Sequence, residues 1–314
     1  MSTLVEINKY LKSKIEGAKE DYAIPKRWMP EGYSGKVRLS GRKFFVNPYE
    51  FISNIIDDIV SKSDKEKDYT KPLSFLCGEK SSDWINTDIV YGAFVRATAA
   101  YVHDQKTLFV PIDEKGYTES GTFLKMIVLL PYFAQYNVDC IYLLPVTQSS
   151  DKFKKGEVGS PYSVKDFFKI EKSYHDTLLG NKFSSDQEFA AFVEAAHMAG
   201  MRVMLDFVPR TAARDNNLIL DHPDWFYWIS IDEMNDFAPP KVKELGFVQP
   251  SKDNLEVIYN NEEVKRHLKK FDWDPKTKNP VKWENFVRKN RDNPNFLDEI
   301  AKEFKVVTVP GFSD

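Results

Sequence analysis

One acid stands near the end of an apolar run. Met201 to Val208 reads Met-Arg-Val-Met-Leu-Asp-Phe-Val, with Asp206 close to its C-terminal end. Such a run fits a strand buried on both faces of a parallel sheet. Ligands of parallel α/β folds collect at the carboxyl ends of the strands, where loops diverge and helix N-termini point. Asp206 therefore has two readings. As a structural group it pairs with a neighbouring arginine, Arg210 or Arg214; as a functional group it faces a ligand. A second candidate is the loop Gly159-Ser160-Pro161-Tyr162-Ser163-Val164-Lys165-Asp166-Phe167. Its small residues let a backbone approach a ligand, and Tyr162 offers a flat face for stacking. The alternative is an ordinary turn around a packed tyrosine. His103-Asp104 and His175-Asp176 are the other acid–base neighbours, and both read as turn residues.

The elements that would position these residues are legible in part. Phe51, Ile52, Ile55, Ile56, Ile59 and Val60 recur at helical spacing, and the charged stretch Ser61 to Lys71 reads as a solvated linker. Residues 1–85 are thus expected to form an N-terminal helical region with its linker. Ile89 to Val102 is β-branched and aromatic and predicts a strand or hairpin. Thr122 to Tyr136 is long and apolar enough for a buried helix, with Asn137 as its stop, and Val138 to Val146 reads as a buried strand. Ser185-Asp186-Gln187-Glu188 fits a capping box. Phe189, Phe192, Val193 and Ala196 line one face of the helix that follows, and Gly200 ends it.

Strands alternating with helices in this way predict parallel βαβ units. Beyond Val208 the pattern breaks into polar segments, with helical patches at 262–271 and 283–304 and one late strand near 305–309.

Composition narrows the class. The 314 residues carry 44 basic and 47 acidic side chains, a net charge of −3, so nothing points to nucleic acid. Aromatics reach 14%, which suits a large aromatic core or a stacking surface for flat ligands such as sugar rings. Two distant cysteines, Cys77 and Cys140, cannot build a disulfide framework, and Cys140 reads as a core hydrophobe. No run approaches the ~18 apolar residues of a membrane span, and Met1 to Lys9 holds no apolar leader. A cytoplasmic protein without a membrane partner is expected.

The segment from Thr122 to Val208 resembles glycoside hydrolase family 13, the α-amylase family. The family's helix leading to a strand that ends in Leu-x-Pro is matched by Leu130 to Val138 and then Ile141-Tyr142-Leu143-Leu144-Pro145. Its Gly-Tyr-x-x-x-Asp-Tyr/Phe loop is matched by Pro161-Tyr162-Ser163-Val164-Lys165-Asp166-Phe167. Its Phe-rich helix with Ala-His-x-x-Gly corresponds to Phe189 through His197 to Gly200, and its Asp-x-Val strand end to Asp206-Phe207-Val208. His222-Pro223-Asp224-Trp225-Phe226 resembles a His-Pro-x-Trp-Phe phrase of some subfamilies.

The resemblance implies an α/β fold, here an incomplete TIM (β/α)8 barrel. Residues 86–208 would be its first three βα units, and 209–314 the insertion after the third strand. It implies that Tyr162 stacks on the sugar at the cleavage site and that Asp206 supports the catalytic constellation. Arg210 and Thr211 occupy positions where the family often has Asn and His, a calcium ligand and a sugar contact. A guanidinium cannot ligate a cation, so no metal or cofactor is expected. His197 would be structural, on the helix outside the barrel.

Retaining glycosidases need two carboxylates ~5–5.5 Å apart, which the family takes from later strands. Gly200-Met201-Arg202-Val203-Met204 has Met204 where the nucleophile of a Gly-x-Arg-x-Asp strand would stand. Five further strands would need on the order of 150 residues, and fewer follow Val208. The expectation is therefore an N-terminal fragment of an α-glucoside-acting glycosidase or glycosyltransferring enzyme, inactive alone. Its partners would be an α-linked oligosaccharide or polysaccharide and the remaining part of the barrel. The alternative is a non-catalytic carbohydrate-binding or assembly module completed by a second chain.

Overall fold

The structure, a computed structural model, describes residues 2–41, 43–103, 119–154, 156, 158–209, 211–240, 251–252 and 255–311. The chain begins with helix α1 (Thr3–Lys12), strands β1 (Tyr22–Ile24), β2 (Arg38–Ser40) and β3 (Lys43–Val46), and helices α2 (Pro48–Lys62) and α3 (Leu73–Leu76). Strand β4 (Val90–Ala93), helices α4 (Val95–Thr98) and α5 (Phe123–Gln135) and strand β5 (Cys140–Leu143) come next. They are followed by strands β6 (Thr147–Ser149) and β7 (Val164–Ile170), helix α6 (Ser185–Met198) and strand β8 (Arg202–Leu205). The remainder holds β9 (Tyr227–Ser230), α7 (Leu255–Asn260), α8 (Glu262–Leu268), β10 (Phe271–Asp272), α9 (Pro275–Lys278), α10 (Pro280–Asn290), α11 (Phe296–Phe304) and β11 (Val306–Val309). Two compact units result: 1–148 with 167–210, and 149–166 with 211–314.

The first unit is built on a parallel sheet in the order β4-β5-β8. Val90 lies opposite Cys140 and Cys140 opposite Arg202; Ala93, Leu143 and Leu205 align at the other end. Helix α5 connects β4 toward β5, and α6 connects β5 toward β8. The apolar run before Asn137 is buried on nearly every side: Phe123, Leu124, Met126, Ile127 and Leu130 are all fully covered. Asn137 adopts φ 53°, the left-handed turn that closes a helix.

The core does not stop at residue 85. Leu4, Ile7, Leu11, Ile52, Ile55 and Ile56 belong to the same apolar cluster as Phe123, Ile141 and Phe192. Burying each such side chain contributes roughly 1.5–3 kcal/mol, so α1 and α2 are integral to this core. An antiparallel sheet, β1-β3-β2, sits in the same N-terminal stretch and was not expected from sequence.

Two local expectations are corrected. Only Val90–Ala93 of the 89–102 stretch is extended; α4 follows, its start fixed by the Phe94 amide donating to Thr98 Oγ1 at 3.0 Å. The capping box of α6 is Ser184 with Gln187, one residue earlier than the pattern suggested. Glu188 is therefore one position further round the helix. It points into the core, accepting from the amides of Leu124 (2.8 Å) and Asp176 (2.9 Å).

The second unit holds an antiparallel sheet, β10-β9-β11. Trp228, Trp283, Phe286, Phe296 and Ile300 form its core. The late strand expected near 305–309 is β11, reached from α11 through Lys305 at φ 58°.

Candidate functional site

The parallel sheet has two faces, set by the two-residue period of its strands. Ile141 and Leu143 are fully buried in the helix-backed core. Tyr142 points the other way, in register with Gly92 on β4 and Met204 on β8. Asp206, two residues beyond Met204, shares that face. Its amide donates to the Leu143 carbonyl at 2.8 Å, extending the ladder one step past the strand.

The Tyr142 hydroxyl donates to the Asp206 carboxylate. Desolvation, then this hydrogen bond, pushes the phenol above its usual range. A Cβ added at Gly92 would meet nothing within 4 Å, so the face beside Tyr142 is open. Phe207 is 58% exposed and meets Phe167 edge-on, with ring centroids 5.7 Å apart. The strand ends thus present a fixed carboxylate–phenol pair, an open floor at Gly92 and exposed rings. This arrangement can accept hydrogen bonds from hydroxyls and cover an apolar ring face.

A buried network supports the same unit. Glu188 is fully buried; its Oε2 lies 3.0 Å from His175 Nδ1, and His175 Nε2 lies 2.7 Å from the Gly180 carbonyl. Burial pushes the Glu188 carboxyl up, and the Glu188 contact pushes His175 up. Asp176 accepts from Thr122 Oγ1 at 2.6 Å, beside the start of α5. His175 and Asp176 flank turns, as expected, but they also tie those turns to the helices. His197 accepts a structural place as well, with Nδ1 3.0 Å from the Tyr69 carbonyl.

The candidates from sequence are distributed unevenly. Asp206 lies in the first unit; Tyr162 (39% exposed) and Thr211 (exposed) lie in the second; Arg210 is outside the described residues. Of the arginines considered for Asp206, Arg214 donates Nε to the Thr308 carbonyl at 2.9 Å and lies over the Phe153 ring. Asp206 takes Tyr142. Sequence alone assigns Tyr142 no role; its alternation with buried Ile141 and Leu143 is the signal that points to it. Among the described residues no group of three or more His, Cys, Asp or Glu side chains is placed to hold a metal ion. Nor is any described helix long and apolar enough to cross a membrane.

The family model described as alpha amylase, catalytic domain, matches residues 113–225, a stretch that includes α5, β5, α6, β8 and Asp206. That segment belongs to the α-amylase family, glycoside hydrolase family 13. The α-amylase-family segment also resembles curated relatives. An alpha-1,4-glucan:maltose-1-phosphate maltosyltransferase of Cereibacter sphaeroides is 32% identical over 130 residues, 38% of this chain and 21% of that protein. The enzyme of the same name from Mycolicibacterium smegmatis is 27% identical over 164 residues, 48% of this chain and 21% of its own length. The chain therefore spans about a fifth of the curated relatives it matches. Among solved structures, an alpha-amylase from Lactobacillus plantarum is 21% identical, with 74% of this chain and 51% of that chain covered and a TM-score of 0.35.

Proposed function

We propose that this chain supplies the first three βα units of a TIM (β/α)8 barrel in an enzyme acting on α-linked glucans. In this reading β4, β5 and β8 are consecutive barrel strands, residues 1–85 an N-terminal extension, and 209–314 the insertion after the third strand. The observation that carries it is Asp206, held by Tyr142 at the carboxyl end of a parallel sheet, within the α-amylase-family segment. Active sites of such barrels sit at that end.

The chemistry follows from the groups present. The Asp206 carboxylate accepts from a sugar hydroxyl, and the Tyr142 phenol fixes its orientation. The family resemblance, and not the geometry, is what supports Tyr162, Arg210 and Thr211 as further sugar-binding residues. Retaining transfer needs a nucleophile and an acid/base carboxyl ~5–5.5 Å apart; in this reading later strands bring both, and the chain alone turns nothing over. The relatives' names support an α-1,4-glucan as ligand.

A second reading, a non-catalytic module completed by another chain, draws on the outer strands. Val90 (42%), Tyr91 (39%), Leu205 (43%) and Phe207 (58%) are exposed on or beside β4 and β8. Open apolar edges invite further strands. Both readings share the sugar-facing strand ends.

Nuclear magnetic resonance of the full chain titrated with maltoheptaose tests this. Shifts at Tyr142, Gly92 and Asp206 are expected, weakened about tenfold in Asp206→Asn, the loss of one charged hydrogen bond. An unmoved strand end at millimolar sugar would sink the reading.

A further inference from the structure

Tyr162 stands in a turn that is closed on itself. The Ser163 amide donates to the Ser160 carbonyl at 3.1 Å, which leaves Pro161 and Tyr162 as the two central residues. Proline presets the backbone at the first of these positions. The Tyr162 amide adds a bond to Ser160 Oγ at 3.3 Å. With the turn fixed internally, the direction of its ring depends on where the chain leaving it is held.

That exit is held from two other segments. The Ser163 carbonyl accepts from the Ser150 amide at 2.9 Å. The Val164 carbonyl accepts twice, from the Ala213 amide and from Asn216 Nδ2, each at 2.8 Å. Two residues on, Asp166 Oδ2 accepts from Asn217 Nδ2 at 2.8 Å. All of these groups belong to the second unit.

The side chains involved carry different loads. Asn216 is fully buried, and its Oδ1 also accepts from the Leu218 amide at 2.8 Å, so it belongs to the frame itself. Lys165 reaches Asp215 only at 3.8 Å, a charge contact too long for a hydrogen bond. Asn217 is half-buried, and its bond ends on a carboxylate that is 7% exposed. Hydrogen bonds to an ionised group largely out of water are the stronger kind. Loss of this one leaves the turn closed and loosens its exit. The Tyr162 ring then has to be ordered at each encounter with a ligand, a cost that a preorganised side chain avoids.

We propose that Asn217, acting through Asp166, is a positioning residue that aims the Tyr162 ring at the bound sugar. The inference rests on the reading in which Tyr162 contacts an α-glucan; the anchoring bonds rest on their own geometry.

A double-variant cycle tests it, with maltoheptaose affinity of the full chain read by nuclear magnetic resonance. Tyr162→Ala is expected to weaken binding about tenfold and Asn217→Ala about fivefold. Asn217→Ala combined with Tyr162→Ala should bind no more weakly than Tyr162→Ala alone, because a residue that acts through the ring has nothing to add once the ring is gone. In the sugar-free chain Asn217→Ala should shift the Tyr162 ring resonances and leave those of Tyr142 in place. Asn217→Gln, which keeps the amide donor, should retain most of the affinity. If Asn217→Ala fails to fold, Asn217→Ser runs the same cycle.

Additive losses overturn the inference, since Asn217 would then act on binding without the ring. So does wild-type affinity in Asn217→Ala while Tyr162→Ala is weakened, an outcome that leaves the Tyr162 contact standing. Wild-type affinity in Tyr162→Ala, with Asp206→Asn weakened, overturns the inference together with that contact and leaves the strand-end reading intact. A wild-type chain that binds no maltoheptaose overturns both the inference and the proposed function.

Discussion

The Tyr142 phenol donates to the Asp206 carboxylate across two neighbouring parallel strands. Register puts Tyr142 beside Met204, and the strand period puts Asp206 on the same face. The bond raises the phenol's titration point, so removing the charge should lower it. In Asp206→Asn, carbon resonances of Tyr142 are expected to titrate at lower pH than in wild type. Desolvation persists, so the phenol stays above the ordinary value. An unchanged titration would mean that the two side chains do not meet.

His175 and Glu188 set a pH dependence. Gly180 O and Glu188 Oε2 are both acceptors, so the pair needs a proton on both ring nitrogens or one on the carboxyl. The folded-state pKa of His175 is raised, mainly by Glu188, and that of Glu188 by burial. A raised group adds stability that is complete below its unfolded pKa and lost as pH rises through its folded one. The His175 share is therefore full below about pH 6.5 and declines above it. Urea unfolding midpoints of wild type and His175→Gln should differ more at pH 6 than at pH 9; a constant difference would contradict this. Glu188→Ala, which strands the amides of Leu124 and Asp176, should cost about 3 kcal/mol.

Lys125 is a buried cation. It is 2% exposed, with Nζ 2.6 Å from Glu119 and 3.1 Å from the Ser120 carbonyl. Glu119→Gln leaves the charge poorly compensated and should destabilise by about 3–5 kcal/mol. The double variant Glu119→Gln, Lys125→Met should recover most of that loss. Chemical denaturation decides it: a double variant no better than Glu119→Gln would show that the pair is not the source.

Much of this was legible because local pattern and final environment agree. The runs at 122–136 and 138–146 became α5 and β5, since an apolar run bounded by Asn137 has few other solutions. The family resemblance, carried by Thr122 to Val208, falls within the segment that the family model matches. What stayed hidden depended on contacts distant in sequence. Glu188 looked like a helix cap until Leu124 and Asp176, far along the chain, claimed its oxygens. Tyr142 looked like one more strand residue, and only pairing with β8 gives it Asp206. The antiparallel strands β1 to β3 are short and mixed in polarity, so no period-two signal announced them.

The outer strands of the parallel sheet give a solubility prediction. Leu205 and Val90 are exposed on β8 and β4, and a charge on an open strand discourages edge-to-edge pairing. Leu205→Lys and Val90→Lys should reduce light scattering of concentrated protein while leaving the unfolding midpoint within about 0.5 kcal/mol of wild type. Scattering that stays the same would show that these residues do not drive association.

Release of reducing sugar from maltoheptaose by the purified chain tests the central claim most directly. The proposed reading, in which the strand ends bind sugar and later strands bring the reacting acids, predicts binding and no release above buffer over hours. Sustained release that Asp206→Asn abolishes would place a complete catalytic centre within these residues and contradict the account.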